Sequence, residues 1–110
     1  MITRFALFEG SVKTGKETAF RNAVIERLVP LWTQFPGHTD VRVMFGDARD
    51  EGAPEFPLIL AISYPDKEVM EAALDSPARH RSKDVTGEIV AEFFVGRIHH
   101  HVTTRLEFVA

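Results

Sequence analysis

A chain of 110 residues with 45% hydrophobic and 26% charged residues fits one globular domain and is too short for two. It contains no cysteine, which excludes a disulfide scaffold, a cysteine-ligated zinc site and a cysteine nucleophile, and makes a reducing, cytoplasmic setting the expectation. Its 13 Lys and Arg against 16 Asp and Glu leave a formal charge of −3, the opposite of a nucleic-acid-binding footprint, and no apolar run reaches the length of a membrane span.

Residues Ile2 to Glu9 alternate loosely, with Phe5 and Leu7 on one face and Arg4, Ala6 and Phe8 on the other, and predict a first strand covered on both sides. After a turn from Gly10 to Gly15, Thr14 and Glu17 have the spacing of a capping box and predict a helix start. Phe20, Ala23, Val24, Leu28, Leu31, Trp32 and Phe35 then form one apolar stripe. Pro30 lies inside this helix, cannot donate to the Glu26 carbonyl, and predicts a kink around Leu28 to Leu31. Pro36-Gly37 ends the segment.

Val41, Val43 and Phe45 alternate with Arg42 and Met44 as a second strand, residues 48–57 form a polar loop, and the almost continuously apolar run Leu58 to Tyr64 predicts a central third strand. Asp66 is placed to cap a short helix with Val69, Met70, Ala73 and Leu74 inside, and Ser76-Pro77 interrupts it. Ser82 is the expected cap of a further segment carrying Val85, Ile89 and Phe93, with Gly96 as its terminator, and Arg97 to Phe108 reads as the last strand.

The order β-α-β-β-α-β predicts an α+β, ferredoxin-like domain, a four-stranded antiparallel sheet with its helices on one face. On this reading Phe8, Met44 and either Leu60 or Ala61 point to the uncovered face. A second copy closing face to face, so that the two sheets form one barrel, is the simplest cover for such a patch.

The opening strand Phe5-Ala6-Leu7-Phe8, the Phe35-Pro36-Gly37 turn before Val41-Arg42-Val43, and Ala72-Ala73-Leu74-Asp75-Ser76-Pro77 followed by Asp84 and Phe93 resemble the dimeric α/β barrel superfamily. Within it the whole chain is most similar to EthD-like proteins. The resemblance implies a homodimer with a small pocket in each subunit, serving catabolism or modification of small organic molecules. The superfamily includes cofactor-free oxygenases, isomerases, decarboxylases and haem-degrading enzymes, so the fold alone does not select a reaction. The haem-degrading pattern of an Asn on the first strand with a Trp and a His in the second helical region is not matched, because the only Asn and Trp here are Asn22 and Trp32.

The five histidines are the main source of candidate chemistry. On a strand, His99 and His101 share a face and His100 points the other way. If Ile98, Val102 and Leu106 lie under the helices, then Arg97, His99, His101, Thr103 and Arg105 face the barrel side, where Arg4 and Arg42 are expected to join them. Such a cluster suits a carboxylate, phenolate or enolate oxygen. Arg4 and Arg42 are more readily read as members of structural ion pairs with Glu9, Asp40 or Glu107 at the sheet ends. Two imidazoles at this spacing can also share a metal ion, but a third ligand is needed and none is signalled. His80, in the charged stretch from Ala78 to Lys83, reads either as a base on a gating loop or as part of a solvated connector.

His99, His101 and His80 are therefore the catalytic candidates, and Arg4, Arg42, His38, Trp32 and Tyr64 the ligand-binding ones. Trp32, Phe35, Met70, Phe93 and Phe94 either line an apolar cavity between sheet and helices or are simply core. No phosphate-binding or dinucleotide motif occurs, so no cofactor is expected. The leading expectation is a homodimer that binds or transforms a small apolar molecule bearing a carbonyl, carboxylate or phenol. The alternatives are a non-catalytic binding or stabilising dimer and a histidine-based metal-binding protein.

Overall fold

The computed structural model describes residues 1–110. Four antiparallel strands, β1 (Ile2–Val12), β2 (Asp40–Phe45), β3 (Leu58–Tyr64) and β4 (Phe94–Thr104), lie in the order β2-β3-β1-β4. β1 is central, with Phe5 opposite Ala61 of β3 on one side and His101 of β4 on the other. Both β1 and β3 are flanked by strands, which explains why the two carry the most continuous apolar runs. The helices, α1 (Glu17–Ala23), α2 (Val29–Trp32), α3 (Lys67–Leu74) and α4 (Pro77–Phe93), cover one face of the sheet.

The core forms between that face and the helices. Phe20, Val24, Leu28 and Trp32, each four residues from the next, are all buried against Ala6 and Phe8 of β1 and Leu58, Leu60, Ile62 and Tyr64 of β3. Phe94 stacks on Phe20 at 6.3 Å and meets Phe8 edge-on at 6.0 Å, tying the start of β4 to both layers. The kink expected around Pro30 is realised as a π-helical turn over Val24–Leu28, where the Val29 N–H reaches back to the Val24 carbonyl. Widening the turn just before the proline accommodates its ring and its missing donor while keeping the apolar stripe on the sheet.

Several local expectations are corrected. Thr14 does not cap α1: Lys16 is the residue at its N-terminus, and no side chain caps the helix. A turn closed by the Lys16 N–H on the Lys13 carbonyl, with Gly15 at φ +79, sets Thr14 too far back to reach the first helical N–H groups. The cap at the second interruption is Ser76, whose Oγ accepts from the Arg79 N–H at 3.3 Å, and not Ser82, whose hydroxyl donates to the Arg79 carbonyl inside the helix. Ser at the cap followed by Pro at the first helical position is the stronger start signal, so the charged stretch Ala78 to Lys83 is helix and not a loop.

Gly96 does not terminate α4. It lies within β4, opposite Gly10. β4 begins at Phe94 because β1 continues to Val12 and supplies it with a partner, and it ends at Thr104 because β1 runs out at its other end. Beyond Thr104 the Arg105 N–H still bonds the Met1 carbonyl, but Leu106 and Phe108 are exposed and outside the ladder. Phe8 and Leu60 lie under the helices; the open face carries Phe5, Leu7, Met44, Ile59 and Ala61.

Candidate functional site

The two faces of β4 carry different chemistry. Register with β1 places His99 beside Leu7, His101 beside Phe5 and Thr103 beside Thr3 on the open face, while Ile98, His100 and Val102 stand beside Phe8, Ala6 and Arg4 on the helix face. The expected alternation of the histidines is therefore present. Arg4, however, is on the helix face and does not join the open-face cluster.

On the open face the cations meet acids. His99 Nε2 lies 2.7 Å from Glu9 Oε1, and Arg97 lies 3.5 Å from the same oxygen. The His99 hydrogen bond holds the Glu9 carboxyl below its usual range against the effect of burial, and the Arg97 charge adds to it. Arg105 donates to Asp40 at 2.8 Å and to Glu107 at 3.0 Å, and Arg42 sits 3.7 Å from Asp40. Burial alone would raise the Asp40 carboxyl; the bond and charge of Arg105, with Ser63 and Arg42, outweigh it and lower the carboxyl. A shallow depression of about 370 Å³ between Thr3, Phe5, Arg42, Met44 and Arg105 lies on this face. Within the chain no three His, Cys, Asp or Glu side chains converge on one point.

The helix face holds a different site. A cavity of about 320 Å³ opens between the sheet and α4. Its floor is Arg4, Ala6 and Phe8 of β1, Leu60 of β3 and Ile98 and His100 of β4; its wall is Arg79, Ser82, Lys83, Thr86, Gly87 and Val90 of α4; Trp32 closes one end. Three cations line it and no acid does. None of the ion pairs in the protein engages Arg4, Arg79 or Lys83.

This uncompensated charge perturbs its neighbours. Burial, and then the charge of Arg79, push the Arg4 guanidinium below its ordinary value, although it stays cationic. Tyr64, buried on the same face, is pushed up to about 12 by burial, with Arg4 and Arg79 pulling the other way, so its phenol stays protonated. His100 is lowered to about 4, first by burial and then by Arg4, Arg79 and His99. His100 is nonetheless an exposed residue, on the lining of the cavity. Loss of solvation, and then two guanidinium groups, thus extend the neutral form of the imidazole from its ordinary range down to about pH 4.

Of the expected site residues, Arg4 and Trp32 meet in this cavity and Tyr64 lies buried nearby, outside its lining. Arg42, His99 and His101 are on the opposite face of the sheet. His80 is an exposed residue of α4, 3.7 Å from Asp75 and outside the cavity, and His38 is tied by its Nδ1 to the Phe35 carbonyl. Phe35, Met70, Phe93 and Phe94 are core and do not line the cavity. His100, Arg79, Lys83, Thr86 and Gly87 were not among the expected site residues. Arg79, Lys83, Thr86 and Val90 follow one another at helical spacing, a signal that becomes legible once residues 77–93 are read as a single helix. A smaller cleft of about 180 Å³ beside α1 is lined by Glu17 and by two charge pairs, Arg21 with Asp47 and Arg49 with Glu55.

No protein-family model matches the sequence, and no curated protein matches it. Among solved structures, an EthD-family protein from Bacillus halodurans superposes with a TM-score of 0.77 at 19% identity, over 96% of this chain and 99% of that one. SnoaB, a cofactor-independent oxygenase from Streptomyces nogalater, gives 0.65 at 14% identity, over 98% and 95%. A dimeric protein of unknown function with a ferredoxin-like fold from Bacteroides fragilis gives 0.61 at 14% identity, over 91% and 93%. The fold is the ferredoxin-like one, shared with these structures along nearly the full length of each chain.

Proposed function

We propose that the protein is a small cytoplasmic homodimer that binds an apolar organic molecule through a carboxylate, carbonyl or phenolate oxygen in the cavity between its sheet and α4, without a bound cofactor. One observation carries the reading: Arg4, Arg79 and Lys83 line an otherwise largely apolar cavity without any acidic partner. Clustered cations without a counter-charge repel one another, so the arrangement is complementary to an anion. Phe8, Trp32, Leu60, Val90 and Ile98 supply the apolar surface for the remainder of the ligand.

The dimer is supported by the open face, where Phe5, Leu7 and Ile59 are half-buried and Met44 is 41% exposed in the single chain. A cover of about 800 Å² per subunit is ordinary for a stable pair. No helix is long and apolar enough to cross a membrane. A titration of aromatic carboxylates, keto acids and phenols, followed by chemical-shift changes, tests the site. Ligands are expected to shift residues of β1, β4 and α4, and Arg4→Gln to weaken carboxylate binding at least tenfold while His99→Ala, on the other face, leaves it within twofold. Equal weakening by both variants, or none by either, contradicts the site.

A further inference from the structure

The cavity holds one side chain that ligand binding alone does not require. His100 projects from β4 to the helix face, next to Ala6 and diagonally across from Arg4, whose own direct partner is Val102. Diagonal neighbours of this kind lie about 7–8 Å apart, so an oxygen held on the Arg4 guanidinium brings the adjoining carbon of a small ligand within reach of the imidazole. We propose that His100 is a general base that removes a proton from the carbon next to the carbonyl of an enolisable 2-keto acid, with Arg4 and Arg79 holding the carboxylate and the developing enolate oxygen. The inference rests on the pocket reading above.

The step balances without an oxidant. The C–H electron pair becomes the new carbon–carbon double bond, the carbonyl pair moves onto oxygen, and the proton is taken by the free ring nitrogen of His100. Return of a proton to the carbon completes an exchange or a tautomerisation. Guanidinium groups aimed at the oxygen that becomes charged supply the stabilisation such a step needs.

The charged and titratable groups facing His100 are Arg4 from β1 and Arg79 and Lys83 from α4, with Tyr64 of β3 nearby and His99 adjacent on its own strand. Burial first, and then the charges of Arg4 and Arg79, lower the imidazole and weaken it as a base. A carboxylate bound between Arg4 and Arg79 offsets the part of that shift that comes from their charge.

Two probes separate the pocket from the base. Benzoylformate has the carboxylate, carbonyl and ring but no hydrogen next to the carbonyl; phenylpyruvate has two. Wild-type protein is expected to bind both, and in deuterium oxide to exchange the phenylpyruvate methylene hydrogens well above the buffer rate by proton NMR. His100→Gln, or His100→Asn as a second isostere, is expected to bind benzoylformate within about threefold of wild type and to lose exchange by about 100-fold, the lower bound for a general base. Binding of both probes with exchange at the buffer rate, or unchanged exchange in the variants, overturns the base and leaves the pocket standing. Failure of both probes to bind overturns the pocket and the base together.

Discussion

Gly10 and Gly96 face each other across the β1–β4 ladder, at φ +147 and +154, in a conformation essentially reserved for glycine. An alanine Cβ at 96 would stand 2.1 Å from the Glu9 carbonyl oxygen and 2.8 Å from the Gly10 Cα. Both are backbone atoms of the central strand, so no rotamer change relieves the contact and the two strands must part by about 1 Å, weakening ladder bonds worth roughly 0.5–1.5 kcal/mol each. With about 1–3 kcal/mol for the backbone conformation itself, Gly96→Ala should cost about 3–5 kcal/mol. An unfolding entropy near 2.1 cal/mol/K per residue makes each kcal/mol worth about 4 °C in a domain of this size, so the melting temperature should fall by about 12–20 °C. Circular-dichroism melts and urea titrations measure both quantities. A melting temperature within about 3 °C of wild type would refute the argument, because it would mean that the ladder accepts a side chain where the geometry leaves no space.

Gly87, in the interior of α4, is the opposite case: a Cβ there meets no atom within 4 Å, yet the residue lines the cavity. Gly87→Ala should raise stability by about 0.5–1 kcal/mol through helix propensity while weakening ligand binding, and a stabilised variant with unaltered affinity would place the ligand away from α4. Leu7→Arg puts a charge in the middle of the open face and should turn a dimer into a monomer by light scattering with the melt of the isolated subunit little changed; a persistent dimer would mean that another surface associates. The lowered Asp40 carboxyl contributes stability that is fully present above its ordinary unfolded value and is lost as pH falls through the folded one, so Asp40→Asn should destabilise at pH 7 and match wild type in strong acid. A constant gap between the two melts across the acid range would contradict the assigned shift.

The fold was largely legible because its elements are marked by period and punctuation. The four-residue repeat Phe20, Val24, Leu28, Trp32 specifies a helix face, and the run from Leu58 to Tyr64 specifies a strand with neighbours on both sides. What escaped were boundaries that depend on a partner. Arg97 to Phe108 has strand character to its end, but β4 can extend only as far as β1 pairs with it, and that limit is written in the length of β1. Thr14 and Glu17 have the spacing of a capping box, but the Gly15 turn decides where the helix begins, and turn geometry is not contained in a spacing rule.

The site was less legible, for a reason that lies in parity and not in residue choice. Alternation along β4 separates His100 from His99 and His101, and only the register with β1 decides which of the two sets shares a space with Arg4. The paired histidines drew attention as a constellation, yet in the fold they meet acids or lie exposed on the open face, and the isolated one faces the unpaired arginines. The second half of the site depended on α4. Once Ser76-Pro77, and not Ser82, starts that helix, Arg79 and Lys83 leave the solvated connector they were assigned to and fall one turn apart on the wall facing Arg4. The position of one helix cap thus decides whether two of the three cations reach the cavity. The absence of a compensating carboxylate became visible only when all three could be counted together.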